Sequence, residues 1–253
     1  MNSKYSRNQK GSVVFIVMIV MLLSTLAVTW AARSALFNER VTGNEADYQR
    51  AFEAAQAMLA DAQLDAAGVL PDGSICSVNP CRSTISSLPQ IPDSRSMLDS
   101  DGGAMKALYD TLSSQVPPCQ SGVCINNGSL QVKFWETPAE LEAMKSRAAL
   151  YGEFTGAVSS DADHFIGNPL LRVDSGMLTD RTKAQAWYWI EPLEYRNTGS
   201  RVGRAYAPFG GQVSTRATLG VVYRITAIAE GRRPGTRAVI QSVFVAPEIP
   251  VVP

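Results

Sequence analysis

The sequence predicts an α+β fold in which one long N-terminal helix packs on a C-terminal antiparallel β-sheet. The helix is indicated by two adjacent segments. Residues 12–32 carry no charge, and residues 33–67 contain no proline and are rich in Ala, Leu, Glu and Gln. The sheet is indicated by the last third of the chain, where apolar and polar residues alternate between turn residues. The 253 residues suffice for one domain of ordinary size and an appendage.

Composition excludes several classes of function before any motif is considered. Lys plus Arg and Asp plus Glu number 23 each, so the net charge is zero and nucleic-acid binding lacks the basic excess that it needs. His164 is the single histidine, which leaves few catalytic or metal sites that depend on imidazole. We therefore expect no enzyme, no catalytic residue, no cofactor and no metal.

The first part of the helix, residues 12–33, has the length and composition of a membrane span. Its 21 uncharged residues at 1.5 Å each extend about 30 Å, the thickness of the hydrocarbon core of a bilayer. A cleaved signal peptide is the alternative, but the apolar region is too long and a helical pattern follows it. The residues that we single out in this membrane or filament helix are Val13, Ile16, Leu22 and Val28.

Charge around the span predicts its orientation. The ten residues before it contain Lys4, Arg7 and Lys10 and no acid. The positive-inside rule then places the N-terminus in the cytoplasm and residues 68–253 in the periplasm as a globular domain.

The second part of the helix, residues 34–67, is amphipathic. Apolar residues recur at spacings of three and four, and Gly68 is a plausible stop. We expect this stripe to pack against the globular domain. The residues of the stripe are Ala51, Ala54, Ala55, Met58, Leu59 and Ala62.

A basic leader that ends in Lys10-Gly11-Ser12 directly before the apolar segment resembles the type IV pilin superfamily. The resemblance implies that a prepilin peptidase removes the cytoplasmic leader, residues 1–11, by cutting between Gly11 and Ser12. Glycine suits such a position because the backbone can enter a cleft without a side chain.

Two further blocks narrow the resemblance to PilX-type minor pilins. They are residues 37–45, Phe-Asn-Glu-Arg-Val-Thr-Gly-Asn-Glu, and residues 50–57, Arg-Ala-Phe-Glu-Ala-Ala-Gln-Ala, with Gln56 where that family usually has glutamate. The C-terminal segments 188–191, 223–227 and 240–244 are similar to the same family. The resemblance covers both ends of the chain and not the middle, residues 68–182.

The apolar helix lacks an early acidic residue, and this bears on the position of the subunit in the pilus. Major pilins have a glutamate at the fifth residue after the cut, where it meets the N-terminal amine of a neighbouring subunit. The fifth residue here is Ile16, and the first acid is Glu39. Because a subunit with nothing above it has no amine to meet, we hypothesise a place at or near the pilus tip. A bilayer-resident assembly factor is the competing explanation.

The region 68–182 is rich in turn residues and is predicted to be loop-rich, and the region 183–253 is predicted to form the sheet. Within the middle we expect a helix over 104–112, a strand over 130–135 and a helix over 138–150. Strands are expected over 186–191, 221–229 and 238–245, the last two as an antiparallel hairpin.

Four cysteines occur as two pairs with the same spacing, Cys76 with Cys81 and Cys119 with Cys124. In a periplasmic domain disulfides are favoured over zinc, whose usual spacings are tighter. Each pair brackets a turn, so we favour the two local bridges and expect them to pin exposed loops. Cross-pairing of the two blocks remains open.

Two weaker signals point to no site. His164 lies in a polar segment without a second histidine, and we interpret it as a solvated loop residue. Residues 99–103, Asp-Ser-Asp-Gly-Gly, lack the terminal glutamate of a calcium loop.

The resemblance implies a structural subunit that primes pilus assembly at the bacterial inner membrane and then stays with the pilus at the cell surface, in a system that supports twitching motility and adhesion. The implied partners are other minor pilins, the major pilin, a PilY-type tip adhesin and prepilin peptidase. Two rivals stand beside it. One is a tip pseudopilin of type II secretion, and the other is a single-span periplasmic protein of unrelated function.

Overall fold

The computed structural model describes residues 10–92, 103–128, 132–157, 167–196 and 219–246. The chain divides into two compact units, Met1–Asp47 and Tyr48–Pro253, and each is described by itself. One helix, α1 (Lys10–Ala67), contributes residues to both units.

In the first unit, α1 exposes apolar side chains on all sides. Its apolar segment is not buried, so by length and composition the helix can cross a membrane. Three hydroxyls in this segment donate to helix carbonyls three or four residues earlier, which satisfies them without an outside partner. These are the hydroxyls of Ser24, Thr25 and Thr29.

In the second unit, α1 presents a face of small residues to the sheet. Ala51, Ala54, Ala55 and Ala62 are fully buried together with Met58, and Leu59 packs partly buried beside them. Small side chains allow the helix backbone to approach the sheet closely while Met58 fills the remaining space. The predicted amphipathic stripe is confirmed.

The described residues form a sheet of five strands. The strands are β1 (Cys119–Gln120), β2 (Val123–Cys124), β3 (Ala186–Arg196), β4 (Leu219–Glu230) and β5 (Arg237–Phe244). They lie side by side in this order, with β2 parallel to β3 and the other neighbours antiparallel. The predicted α+β fold and the β4–β5 hairpin are thereby confirmed.

Both faces of the sheet are covered, because side chains of a strand alternate between them. Tyr188, Ile190 and Tyr223 point toward α1, whereas Trp187 and Trp189 lie in a separate core on the opposite face. The described part of the second unit contains three further α-helices, and single turns of 3₁₀ helix occur at Arg82–Thr84 and Phe134–Glu136, among others. The helices are α2 (Gly103–Leu112), α3 (Pro138–Lys145) and α4 (Ser175–Thr179).

Two expectations for the middle region are corrected. The strand over 130–135 is wrong for its described part, because Phe134 starts a 3₁₀ turn. Phe134 packs edge-on against Trp189 at 4.9 Å between ring centroids, so the turn places its ring in the core on this face of the sheet. The helix expected over 138–150 ends at Lys145, because Ala149 pairs with Tyr188 of β3 as an extended bridge.

Candidate functional site

The N-terminal segment of α1 carries the residues singled out for processing and anchoring. Gly11 and Ser12 lie in the first turn of α1. The four residues chosen for the membrane or filament helix are all more than half exposed, so their apolar surface is available to lipid or to other helices. Their exposed fractions are 58% for Val13, 57% for Ile16, 70% for Leu22 and 67% for Val28.

A buried polar cluster joins the last turns of α1 to the rest of the second unit. We call it the helix clamp, and it consists of Asp61, Asp65, Arg82, Thr155 and Tyr188. All five residues are at most 7% exposed. Buried polar groups destabilise a fold unless they are hydrogen-bonded, so the contacts inside the cluster determine whether it holds the helix.

Asp65 is the centre of the helix clamp. The Arg82 guanidinium donates to both of its oxygens, at 3.1 Å from Nε to Oδ1 and 2.6 Å from Nη2 to Oδ2. The Tyr188 hydroxyl of β3 donates to Oδ2 at 2.9 Å. Burial raises the pKa of Tyr188 well above its usual value, and the charge of Asp65 acts in the same direction, so the hydroxyl stays a donor. One carboxylate thus binds α1 to the central part of the sheet.

Asp61 lies one turn earlier on the same helix face. Its carboxylate accepts hydrogen bonds from the Gly152 backbone N–H at 2.7 Å and from the Thr155 hydroxyl. Burial raises the pKa of Asp61 to about 6 against these two hydrogen bonds, which lower it, and the charges of Asp65 and Glu153 raise it further. Asp61 therefore fixes the loop around residue 152 to the helix but resists ionisation.

Arg82 connects the helix to two loops. Its Nη2 donates to the Ser121 carbonyl at 2.9 Å, and its guanidinium lies 3.8 Å from the centroid of the Phe154 ring. Burial alone would lower the pKa of Arg82, but the charge of Asp65 beside it raises the pKa overall. Arg82 is therefore a permanent cation that is held in the interior by its partners.

The cysteines form two local disulfides, Cys76–Cys81 and Cys119–Cys124. The expectation that they pin exposed loops is wrong for the second bridge, because Cys119 and Cys124 belong to the core on the Trp189 side of the sheet. The reason is the tight β1–β2 turn, whose ends lie beside β3.

The turn between β1 and β2 is itself packed into the domain. Ser121 and Gly122 both have positive φ, at 49° and 80°, as a two-residue hairpin turn requires. A Cβ on Gly122 would lie 2.5 Å from the Ala149 Cβ. Glycine at this position allows the turn to lie directly against the chain segment that pairs with Tyr188.

On the opposite face of the sheet, an ion pair joins β3 to β4. Glu191 and Arg224 are direct neighbours across β3 and β4, and Arg224 Nε donates to Glu191 Oε2 at 2.8 Å. Glu191 Oε1 is buried without a hydrogen-bond partner among the described residues. A small pocket lies above this pair, with Phe134 and Trp189 in its wall.

Within the described residues, no group of three His, Cys, Asp or Glu side chains is placed to hold a metal ion. His164 and residues 99–102 of the weak calcium motif lie outside the described residues, so their interpretation stays a prediction.

Sequence reasoning missed the helix clamp. A signal was present, because Asp61 and Asp65 lie four residues apart and extend the stripe of buried alanines. Two acids on the apolar face of a helix indicate buried partners. The identity of those partners was not readable, because Arg82 and Tyr188 lie 17 and 123 residues from Asp65.

One helix supplies an uncharged segment of membrane length and then packs as part of an α+β domain. This combination defines a type IV pilin-type subunit. The PilX N-terminal family model matches residues 10–60, and the model described as Type IV pilus assembly protein PilX C-term matches residues 78–246. The chain therefore belongs to the PilX family of type IV pilus minor pilins.

The family assignment corrects one expectation about the middle of the chain. The C-terminal match begins at residue 78 and so includes most of region 68–182, for which sequence reasoning had found no resemblance. No curated protein and no solved structure matches the chain. The PilX family is a structural component of the pilus and associates with other pilus components.

Proposed function

We propose that this chain is a minor pilin that primes pilus assembly at the inner membrane and then sits at or near the pilus tip. The observation that carries the tip placement is the apolar Ile16 at the fifth position after the proposed cut. A carboxylate at this depth would need a partner amine from a subunit above it, and an apolar residue does not. Membership in the PilX family supports the role in the pilus.

The proposal includes a division of the chain. Residues 1–11 form a cytoplasmic leader that prepilin peptidase removes after Gly11. Residues 12–33 span the membrane and later enter the filament core, residues 34–67 are the amphipathic half of the helix, and residues 68–253 form a periplasmic domain. The basic residues Lys4, Arg7 and Lys10 support this orientation.

The disulfide-bounded loops are proposed as the surface for other minor pilins and a PilY-type adhesin. Ile75, directly before the first disulfide, and Val78, inside its loop, are 61% and 64% exposed, and Val116 beside the second disulfide is 90% exposed. Apolar side chains on exposed loops support a role in protein contacts. In a pull-down from detergent-solubilised membranes, we expect Val116→Asp to recover less adhesin and minor pilin than the wild type, with Val243→Asp on the exposed side of β5 as the control.

Processing is tested with Gly11→Leu. We expect the leader to remain attached, as determined by mass spectrometry of the N-terminus, and surface pili to decrease. Ser24→Leu is the matched control, because it adds the same side chain inside the apolar helix and leaves the cut intact. Unchanged processing and normal pili in Gly11→Leu would contradict the proposal.

The tip placement is tested on sheared pili with gold-labelled antibody against the domain. We expect label at one end of each fibre. Label along the whole length of the fibres would contradict tip placement, and absence from fibres together with retention in the membrane would favour an assembly factor that stays in the bilayer.

A further inference from the structure

The Cys76–Cys81 disulfide directly precedes the cation of the helix clamp. Cys81 is fully buried, and Arg82 follows it at the start of a single 3₁₀ turn. The backbone N–H and the hydroxyl of Thr84 both donate to the Cys81 carbonyl, at 3.1 Å and 2.8 Å. The position of the Cys81 backbone therefore sets the point from which the Arg82 side chain extends.

The other end of the disulfide loop is attached to the end of α1. The Cys76 N–H donates to the Gly68 carbonyl at 2.9 Å, and Val69 pairs with Ile75 in an isolated bridge. Gly68 directly follows the last residue of α1. The disulfide thus closes a loop whose first end is bound to the helix through the backbone and whose second end is bound to it through Arg82 and Asp65.

Arg82 and Asp65 depend on each other for their burial. Its side chain and that of Asp65 are only 4% and 2% exposed, so each charge would be buried without a partner if the other moved away. Because Asp65 also binds Tyr188 and Arg82 also binds the Ser121 carbonyl, the pair joins the helix, the β1–β2 turn and β3. Loss of the loop position would release all three connections together.

We propose that formation of the Cys76–Cys81 disulfide and docking of residues 51–66 on the sheet are thermodynamically coupled through Arg82. The two thiols lose two electrons and two protons as the S–S bond forms, and a protein disulfide accepts them and becomes a dithiol. Coupling is reciprocal, so docking of the helix favours the disulfide by the same factor as the disulfide favours docking. The coupling is a property of the fold, and its timing in the cell, after entry into an oxidising compartment, rests on the periplasmic orientation proposed above.

The first test measures the thiol–disulfide equilibrium of the full chain in detergent. The protein is equilibrated with glutathione buffers, quenched with acid and alkylated, and mass spectrometry reports each cysteine pair separately. We expect Asp65→Asn to shift the Cys76–Cys81 equilibrium toward the dithiol by about tenfold or more. The control Glu230→Gln weakens the ion pair with Lys145 on the opposite face and should leave the equilibrium unchanged. Equal values for Asp65→Asn and the wild type would overturn the proposal.

Arg82→Lys keeps the charge and replaces Asp65→Asn in this test if Asp65→Asn does not fold. We expect it to shift the equilibrium in the same direction.

The second test is hydrogen exchange of the double variant Cys76→Ser/Cys81→Ser. We expect amides of residues 51–66 to exchange about tenfold faster or more than in the wild type. Unchanged exchange would overturn the coupling and leave the role in the pilus untouched, because processing at Gly11 and location on fibres are measured independently.

Discussion

Asp61 and Asp65 lie four residues apart on the buried face of α1, and they are bound by different kinds of donor. Asp65 is paired with the Arg82 guanidinium, whereas Asp61 accepts from a backbone N–H and the Thr155 hydroxyl. A cation balances one charge in the interior, and neutral donors leave the other charge unbalanced. The interior therefore opposes the ionisation of Asp61, whose pKa is raised by burial.

The contribution of Asp61 to the free energy of unfolding should fall as the pH rises through the range from about 4 to 6. Burial raises the pKa of Asp61 from 3.8 to about 6, so the folded chain favours the protonated form more than the unfolded chain does. The stability present below pH 3.8 is lost as the group ionises in the folded state, by at most about 3 kcal/mol. Asp61→Asn should remove this part of the slope in denaturant unfolding at pH 4 and pH 7.5. An unchanged slope in Asp61→Asn would contradict the assignment.

Alanine at position 122 should destabilise the domain far more than alanine at position 128. Both glycines have positive φ, at 80° and 87°, but a Cβ meets Ala149 at 2.5 Å only at Gly122, and none of the described atoms lies within 4 Å at Gly128. Gly128→Ala should cost about 1 kcal/mol of unfolding free energy, and Gly122→Ala a further 1–3 kcal/mol, approximately. Thermal unfolding of the two variants measures the difference. Equal losses would show that the β1–β2 turn does not lie against Ala149.

A larger side chain on the buried face of α1 should disrupt the domain. Ala55 is fully buried, and Ala60 on the same helix is exposed. We expect Ala55→Leu to lower the free energy of unfolding by about 1–3 kcal/mol or more and to reduce the amount of protein in cells. Ala60→Leu should change the stability by less than about 0.5 kcal/mol. Denaturant unfolding separates the two, and a stable Ala55→Leu would argue against close packing of the helix on the sheet.

The tip placement makes a further prediction about the apolar helix. An unpaired carboxylate in the hydrocarbon core costs about 3 kcal/mol. If no subunit lies above this one, Ile16→Glu and Leu22→Glu should reduce membrane insertion and the number of pili to a similar extent. Normal pili in Ile16→Glu together with few pili in Leu22→Glu would indicate that an amine meets position 16, which contradicts tip placement.

The sequence predicted the features that periodicity and turn residues encode locally, and it did not predict contacts between residues distant in the chain. The buried stripe of α1 and the β4–β5 hairpin follow from periodicity and turn residues, and the structure confirms both. The turn at Phe134 was predicted as a strand, because alternation over a few residues does not reveal which side chain a distant Trp189 will bury. The contact of Arg82 with Asp65 depends on chain topology, which no local pattern encodes.

The disulfides show the same limit in another form. The spacing of the cysteines indicates local bridges, but their surroundings depend on where the loops lie in the fold. Cys119 and Cys124 are buried because β2 pairs with β3 at Val123 and Ile190, a contact between residues 67 positions apart. The expectation of an exposed loop is wrong for the Cys119–Cys124 bridge for this reason.

The second compact unit begins at Tyr48, inside α1, and not after its last residue. A secretable fragment for crystallisation should therefore retain the helix from about residue 48. A fragment that starts at Gly68 would lack the alanine face, Asp61 and Asp65, and would present the bare sheet to water. Any cut between the two units therefore falls inside a continuous helix and not in a loop, so no natural linker is available for separating them.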